Sequence, residues 1–395
     1  MGNYLSDESL QSLKKYTYRG VDKSILSKYA MNSFWTWFVT LFPLSIAPNT
    51  ITLSGLCIVI FNFFTLLYYY LTKKAGWGIG LFLYQAFDAA DGTGMAGPLG
   101  EMFDHGTSPR STRKRDAILV SPALNLGRSW WTLASQVATL ANFYLTTWEE
   151  YHTGAYLASY TSAFYGVFSG PVEGILILVA IYMITGVYGP SFWNTPILDV
   201  LHLSHIPLIT STFSNIGLNV SSMVFGAFGL AFNILSTPSF LPSNSPTPSF
   251  PGELELFTIR NSALFIPFLC AWGLQFAHQV GRMILAHLTK MSFPVWDWLW
   301  LLSLVGAVDA NLPRIAGTSL ISQSTPLLTA LYVHTTLLIS FISYARNCVL
   351  MIHNVRGFMG IVCFTVRKKD KEGDWRNATG QAPGAVKVEK GEVRR

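Results

Sequence analysis

Between Tyr84 and Gly106 the chain reads YQAFDAADGTGMAGPLGEMFDHG, a stretch that sets carboxylates into an otherwise apolar run. Asp88 and Asp91 are three residues apart and therefore share a face on a helix. Asp104 and His105 follow a connector containing Gly92, Gly94, Gly97, Pro98 and Gly100, residues that let a backbone turn and approach a ligand closely. Three carboxylates beside such a segment suit a hard divalent cation, which takes oxygen ligands and often keeps a substrate phosphate in its shell. For one aspartate alone, a solvated helix end is the plainer reading. Three together in apolar surroundings are costly, which makes them a functional site by default.

The elements that position these groups follow from composition. Of 395 residues, 50% are hydrophobic, 14% aromatic and 12% charged. Soluble domains carry about 25% charged residues, so this is a membrane composition. The mean hydropathy of +0.36 agrees, and 12 Trp and 17 Tyr are enough for interfacial belts. The net charge of +6 lies at the ends and in loops rather than in one aromatic-interleaved patch, which argues for cytosolic loops and against nucleic acid. Cys57, Cys270, Cys348 and Cys363 stand alone without metal-ligand spacing and read as small packing residues. The first thirty residues are polar and show no cleavable leader.

The pattern predicts a polytopic all-α membrane protein of eight to ten spans. Residues 1–46 read as a cytosolic segment ending in an interfacial helix over 33–46, residues 47–365 as the transmembrane domain, and 366–395 as a charged, disordered tail. Pro48 and Asn49 open the first span, with Asn49 as a cap, and a second helix from about Gly76 carries Gln85, Asp88 and Asp91 toward its end. Further spans are expected near 129–147, 155–168, 170–188, 217–236, 258–277, 280–307 with a break at Pro294, and 326–352. Trp148 to Gly154, WEEYHTG, reads as an interfacial loop, and 236–256 as a Ser/Pro-rich loop. Small residues over 215–232 suggest close helix packing. His287 reads as a packed or interfacial histidine. Walker, GxSxG and HExxH motifs and internal repeats are absent.

DAADG at 88–92 and GPLGEMFDHG at 97–106 resemble the signature of the CDP-alcohol phosphotransferase family, D-x-x-D-G-x-x-A-R followed by G-x-x-x-D-x-x-x-D. Outside it, YTYRGVDKSILSKY at 16–29, APNTITLSG at 47–55, ALNLGRSWWTLASQ at 123–136, NFYLTTWEEYHTG at 142–154 and GRMILAHLTKMSFP at 281–294 resemble the eukaryotic choline/ethanolamine phosphotransferases. The resemblance implies about ten transmembrane helices, a dimer, and residence in the endoplasmic reticulum or Golgi. It also implies transfer of phosphocholine or phosphoethanolamine from CDP-choline or CDP-ethanolamine to diacylglycerol, with Mg²⁺ or Mn²⁺ as cofactor. By the same resemblance Asp88, Asp91 and Asp104 are metal ligands, and Asn49, Gly92 and Gly100 contact the nucleotide. Both termini are expected in the cytosol, where the sequon at Asn377 stays unmodified.

The chain also departs from the pattern. The A-R after Gly92 is missing, the connector is about five residues shorter than the eukaryotic members imply, and Ser108 stands where the final Asp belongs. That Asp is the family's expected base, so Glu101 and His105 become the acid/base candidates. Residues 107–122 look foreign to the family and Ala123 resumes it, which suggests a local splicing or frame error in the coding region. Two alternatives follow: a lineage member that has lost catalysis, and, more remotely, an ion-coupled transporter using its intramembrane carboxylates.

Overall fold

A backbone immersed in lipid satisfies its own polar groups most simply as helix, and the apolar runs of this chain are helical in its computed structural model. The structure describes residues 9, 11, 31–43, 46, 48–68, 74–92, 121, 123–153, 171–212, 214–236, 259, 262–317, 320–321, 325–359, 367–369 and 375–377. Helix α1 (Asn32–Val39) buries Trp35 and Phe38 against Ile51 and Ala86. It ends seven residues before the end of the interfacial helix expected over 33–46, in turns before Pro43.

Helices α2 (Pro48–Tyr68) and α3 (Lys74–Gly92) form an antiparallel hairpin. Ile51 near the start of α2 meets Ala86 near the end of α3, while Asn62 donates from Nδ2 to the Trp77 carbonyl at 3.3 Å. Helix α5 (Pro171–Tyr188) packs antiparallel on the other side of α3, Tyr182 against Trp77 and Leu81, and Ile175 against Tyr84.

Helices α4 (Trp130–Thr153) and α9 (Phe265–Thr289) run parallel. Leu133 packs on Leu269 at one end, and Tyr151 donates its hydroxyl to the Met291 carbonyl at 2.7 Å at the other. Phe63 of α2 joins the Leu133 and Leu269 cluster, which fixes the sense of this pair against the hairpin. Between α5 and α8 (Leu218–Ser236) the chain makes a 3₁₀ turn at Pro190–Asn194 and two short helices, α6 (Ile197–Val200) and α7 (Pro207–Thr212). Helix α10 (Trp300–Ala316) returns along α9, and α11 (Pro326–Met359) runs parallel to α9, with Gln275 near Ser340 and Met351 and Val355 in one cluster with Ile284 and Leu288.

Several expectations are corrected. The segment at 148–154 is not a loop: α4 continues to Thr153, because Glu149 and Glu150 are good helix formers and Tyr151 finds a partner. Helix α9 runs unbroken through 277–280, whereas the break expected at Pro294 is present, over 290–299, where Lys290 takes a left-handed conformation, Met291 N–H returns to the Ala286 carbonyl and Pro294 bars further helix. The helix-rich loop at 190–212 was not expected. Close packing through small residues occurs at Gly55, Gly78 and Gly80 and, within 215–232, at Gly217, whose added Cβ would lie 2.7 Å from Asn219 Oδ1, whereas Gly226 faces open space and Phe225 and Phe228 are exposed. Cys57 is exposed rather than packed. Part of the tail expected as disordered pairs Arg367–Lys369 with Trp375–Asn377 as two antiparallel strands, β1 and β2. The span expected over 155–168 and the Ser/Pro-rich loop lie outside the described residues.

The surface is that of a membrane protein. Phe61, Phe64, Val187, Phe228, Val308, Leu327 and Leu331 are all more than half exposed on helix faces, an apolar area that water would not tolerate and lipid covers. Among the described residues one helix, over Pro326–Val355, is long and apolar enough to cross a bilayer by itself, and 22% of its apolar window is buried, as suits a lipid-facing span. Asn49–Thr65, Gly174–Tyr188 and Leu218–Phe228 are shorter apolar helical stretches.

Candidate active site

The hairpin sense decides what meets what. Because α2 and α3 are antiparallel, Asn49 at the start of α2 lies at the same end of the bundle as Asp88 and Asp91 at the end of α3. The helix begins at Pro48, whose missing N–H suits a first position, so Asn49 sits inside the first turn rather than at the cap. The hairpin closes tightly here: a Cβ on Gly55 would lie 3.1 Å from Phe87 Cβ, one residue before Asp88.

Asp88 is half-buried; of Asp91 and Gly92 the structure describes the helical backbone, and both fall in the last turn of α3. Carboxylates at a helix C-terminus stand among free carbonyls and the negative end of the macrodipole, an arrangement that costs stability unless a cation is bound. Gln85, one turn earlier, is buried, and its Oε1 has no hydrogen-bond partner. Gln85, Asp88 and Asp91 thus recur every third residue along the end of α3, and Gln85 brings one orphaned acceptor. That set fits a hard divalent cation. Gly100, Glu101, Asp104 and His105 lie outside the described residues, and among the described residues no three metal-capable side chains cluster.

The parallel pairing of α4 with α9 brings further groups to this end. Glu149 and Glu150 are on the last turns of α4, and His152 is exposed beside Trp148, with ring centroids 4.6 Å apart. His287, half-buried in the last turn of α9, packs its ring 6.4 Å from Tyr151, the packed histidine expected.

Sequence reasoning missed the polar face of α9. Gln275, His278, Gln279 and Arg282 recur at helical spacing along it. Asp297, fully buried in the irregular connector to α10, accepts from His278 Nδ1 and lies 3.7 Å from Arg282 Nη1. Gln279 and Arg282 donate to the Pro294 and Trp296 carbonyls at 2.8 and 2.9 Å, and Asp297 Oδ1 accepts the Leu299 N–H at 3.1 Å. Non-helical backbone at membrane depth needs such internal partners, so this set braces the connector.

Comparison with known proteins defines the class. The chain is 35% identical to Cholinephosphotransferase 1 of Saccharomyces cerevisiae, over 78% of its own length and 85% of the relative's. It is likewise 35% identical to Choline/ethanolaminephosphotransferase 1 of the same yeast (75% and 82%), and 30% identical to Choline/ethanolaminephosphotransferase 2 of Arabidopsis thaliana (93% and 99%). No protein-family model matches the chain. The chain belongs to the CDP-alcohol phosphotransferase family, a family of transferases of phospholipid biosynthesis, and within it resembles the choline/ethanolaminephosphotransferases.

Proposed function

We propose that this membrane protein transfers phosphocholine or phosphoethanolamine from CDP-choline or CDP-ethanolamine to diacylglycerol, giving phosphatidylcholine or phosphatidylethanolamine and CMP. The observation that carries this reading is the end of α3, where Asp88 and Asp91 close a helix beside an orphaned Gln85 oxygen and opposite the start of α2. Asp88 and Asp91, with Asp104 by family resemblance, would hold Mg²⁺ or Mn²⁺. When bound, the cation supplies charge neutralisation along the pyrophosphate. Asn49 opposes this end, and Gly92 and Gly100 allow the nucleotide to approach the backbone. The diacylglycerol hydroxyl oxygen forms the new bond to phosphorus as the bond to the CMP oxygen breaks. Its proton passes to Glu101 or His105, and the aspartates contribute positioning and electrostatics. The full reading includes about ten spans, a homodimer, residence in the endoplasmic reticulum or Golgi, and both termini in the cytosol.

A second reading has one specific observation behind it: Ser108 in place of the final Asp, with the motif Arg missing, describes a family member whose catalysis is lost. Serine is no base at neutral pH. One experiment separates the two. CMP release is measured in diacylglycerol micelles with either CDP-alcohol and Mg²⁺, before and after chelation, for the chain as it stands and for one with an A-R-containing connector and Ser108→Asp. Metal-dependent release that falls about 100-fold or more in Asp88→Asn supports the transfer reaction. Release by the restored chain alone supports the second reading, and release by neither overturns the first.

A further inference from the structure

Of the four polar residues along α9, Gln275, His278 and Gln279 are buried, whereas the Arg282 side chain is 29% exposed. Its guanidinium carries five N–H donors in a fixed plane. Nη1 donates to the Trp296 carbonyl at 2.9 Å. Asp297, 3.7 Å from the same nitrogen, is beyond hydrogen-bond distance, and its two oxygens are already engaged by His278 Nδ1 and the Leu299 N–H. Among the described residues nothing further answers the remaining donors. A cation open on the surface of a membrane helix needs an oxygen acceptor there, which hydrocarbon does not supply.

The depth of Arg282 says which acceptor the bilayer offers. A hydrocarbon core takes about 20 helical residues, and about 20 counted from Phe265 end at Ile284. Arg282 therefore lies within one turn of the boundary at the Asp88 end, and the last turn of α9 with exposed Lys290 stands beyond it. Trp296 and Trp298, 54% and 48% exposed on the connector, mark the same level, since tryptophan collects where headgroups begin. The anion at that level is the phosphate of a phospholipid. Its paired oxygens match the planar guanidinium fork, and a charged acceptor binds more strongly than the neutral ester carbonyls that every glycerolipid carries.

We infer that Arg282, flanked by Trp296 and Trp298, is a docking site for the phosphodiester of a bilayer glycerophospholipid in the leaflet at the Asp88 end. The open guanidinium N–H groups donate to the phosphate oxygens, the exposed indoles cover the glycerol backbone, and Asp297 with His278 holds the connector that presents them. Phosphatidylcholine and phosphatidylethanolamine both carry that phosphate, whereas diacylglycerol has none. The site thus separates the lipid classes on the two sides of the proposed transfer, and it stands whether or not CMP is released.

The test uses the full chain in detergent micelles with Val295, 77% exposed beside Trp296, replaced by the photo-reactive p-benzoylphenylalanine. Trace radiolabelled phosphatidylcholine, phosphatidylethanolamine or diacylglycerol of the same acyl chains is cross-linked by near-ultraviolet light. Both phospholipids are expected to label about tenfold or more above diacylglycerol, the worth of one hydrogen bond to a charged group. Arg282→Gln is expected to bring them down to the diacylglycerol level, and Arg282→Lys, which keeps the charge without the fork, to fall between. Equal labelling by all three lipids with Arg282 intact overturns the site without any change at 282, and so does phospholipid labelling that Arg282→Gln leaves unchanged. Unlabelled phosphatidylcholine is expected to compete and inorganic phosphate to leave the labelling in place. Full competition by inorganic phosphate assigns the site to a free anion and overturns the lipid.

Discussion

Asp297 shows how much a single buried charge can organise. Fully buried, it meets Arg282 and His278, the latter 11 residues or about 16 Å before the end of α9, and it accepts the Leu299 N–H just ahead of α10. Removing one partner of such a set leaves the others uncompensated, so Asp297→Ala is expected to lower unfolding free energy by about 3–5 kcal/mol. Asp297→Leu combined with His278→Leu is expected to cost less than either single change, because it removes both polar groups together. Chemical unfolding in detergent micelles checks both, and a double variant worse than each single one would refute the ion-pair account. The sequence hid this set because Asp297 lies nineteen residues beyond His278 and only the return of the connector along α9 joins them. The signal available was a His and an Arg four apart on an apolar helix. Asp88 and Asp91, by contrast, were legible at once, being adjacent carboxylates in an apolar run whose placement needs nothing beyond helical spacing.

At the scale of elements, glycine positions in α3 decide how closely the bundle closes around the carboxylates. A Cβ on Gly80 would lie 2.2 Å from Asn62 Nδ2, whose hydrogen bond to the Trp77 carbonyl holds α2 to α3. A Cβ on Gly76 meets nothing within 4 Å. Gly80→Ala is therefore expected to destabilise by about 1–3 kcal/mol through overpacking, and Gly76→Ala to stabilise by about 0.5–1 kcal/mol through helix propensity. Thermal unfolding of the two variants should move in opposite directions, and a shift of the same sign in both would show that propensity alone governs α3. The helices themselves were legible from apolar length, and the start at Pro48 and the break at Pro294 from backbone chemistry. The short helices at 190–212 were not, because their geometry depends on tertiary partners such as the Ile197 N–H to Ile216 carbonyl bond and the Trp193 indole on Thr185.

The whole molecule is polarised along its helix axes. One end gathers the start of α2, the end of α3, and the ends of α4 and α9, with Asn49, Asp88, Asp91 and His152. The other gathers the start of α3, the end of α5 and the loop at 190–217, where His205 is exposed. Composition alone indicated a bilayer between such ends, since exposed aromatic and aliphatic side chains have no other suitable solvent, but which groups share an end emerged only from the contacts between helices. If CDP-alcohol substrates arrive from the cytosol, the Asp88 end must face it. In sealed microsomes with their cytosolic face outward, a single cysteine in His152→Cys should react with a membrane-impermeant maleimide at once, and one in His205→Cys only after the vesicles are opened. The other four cysteines are replaced by serine in both. The reverse pattern would invert the proposed orientation, and equal labelling of both sites would mean that the bilayer does not separate the two ends, in which case the exposed faces of α2, α5 and α11 would need another cover.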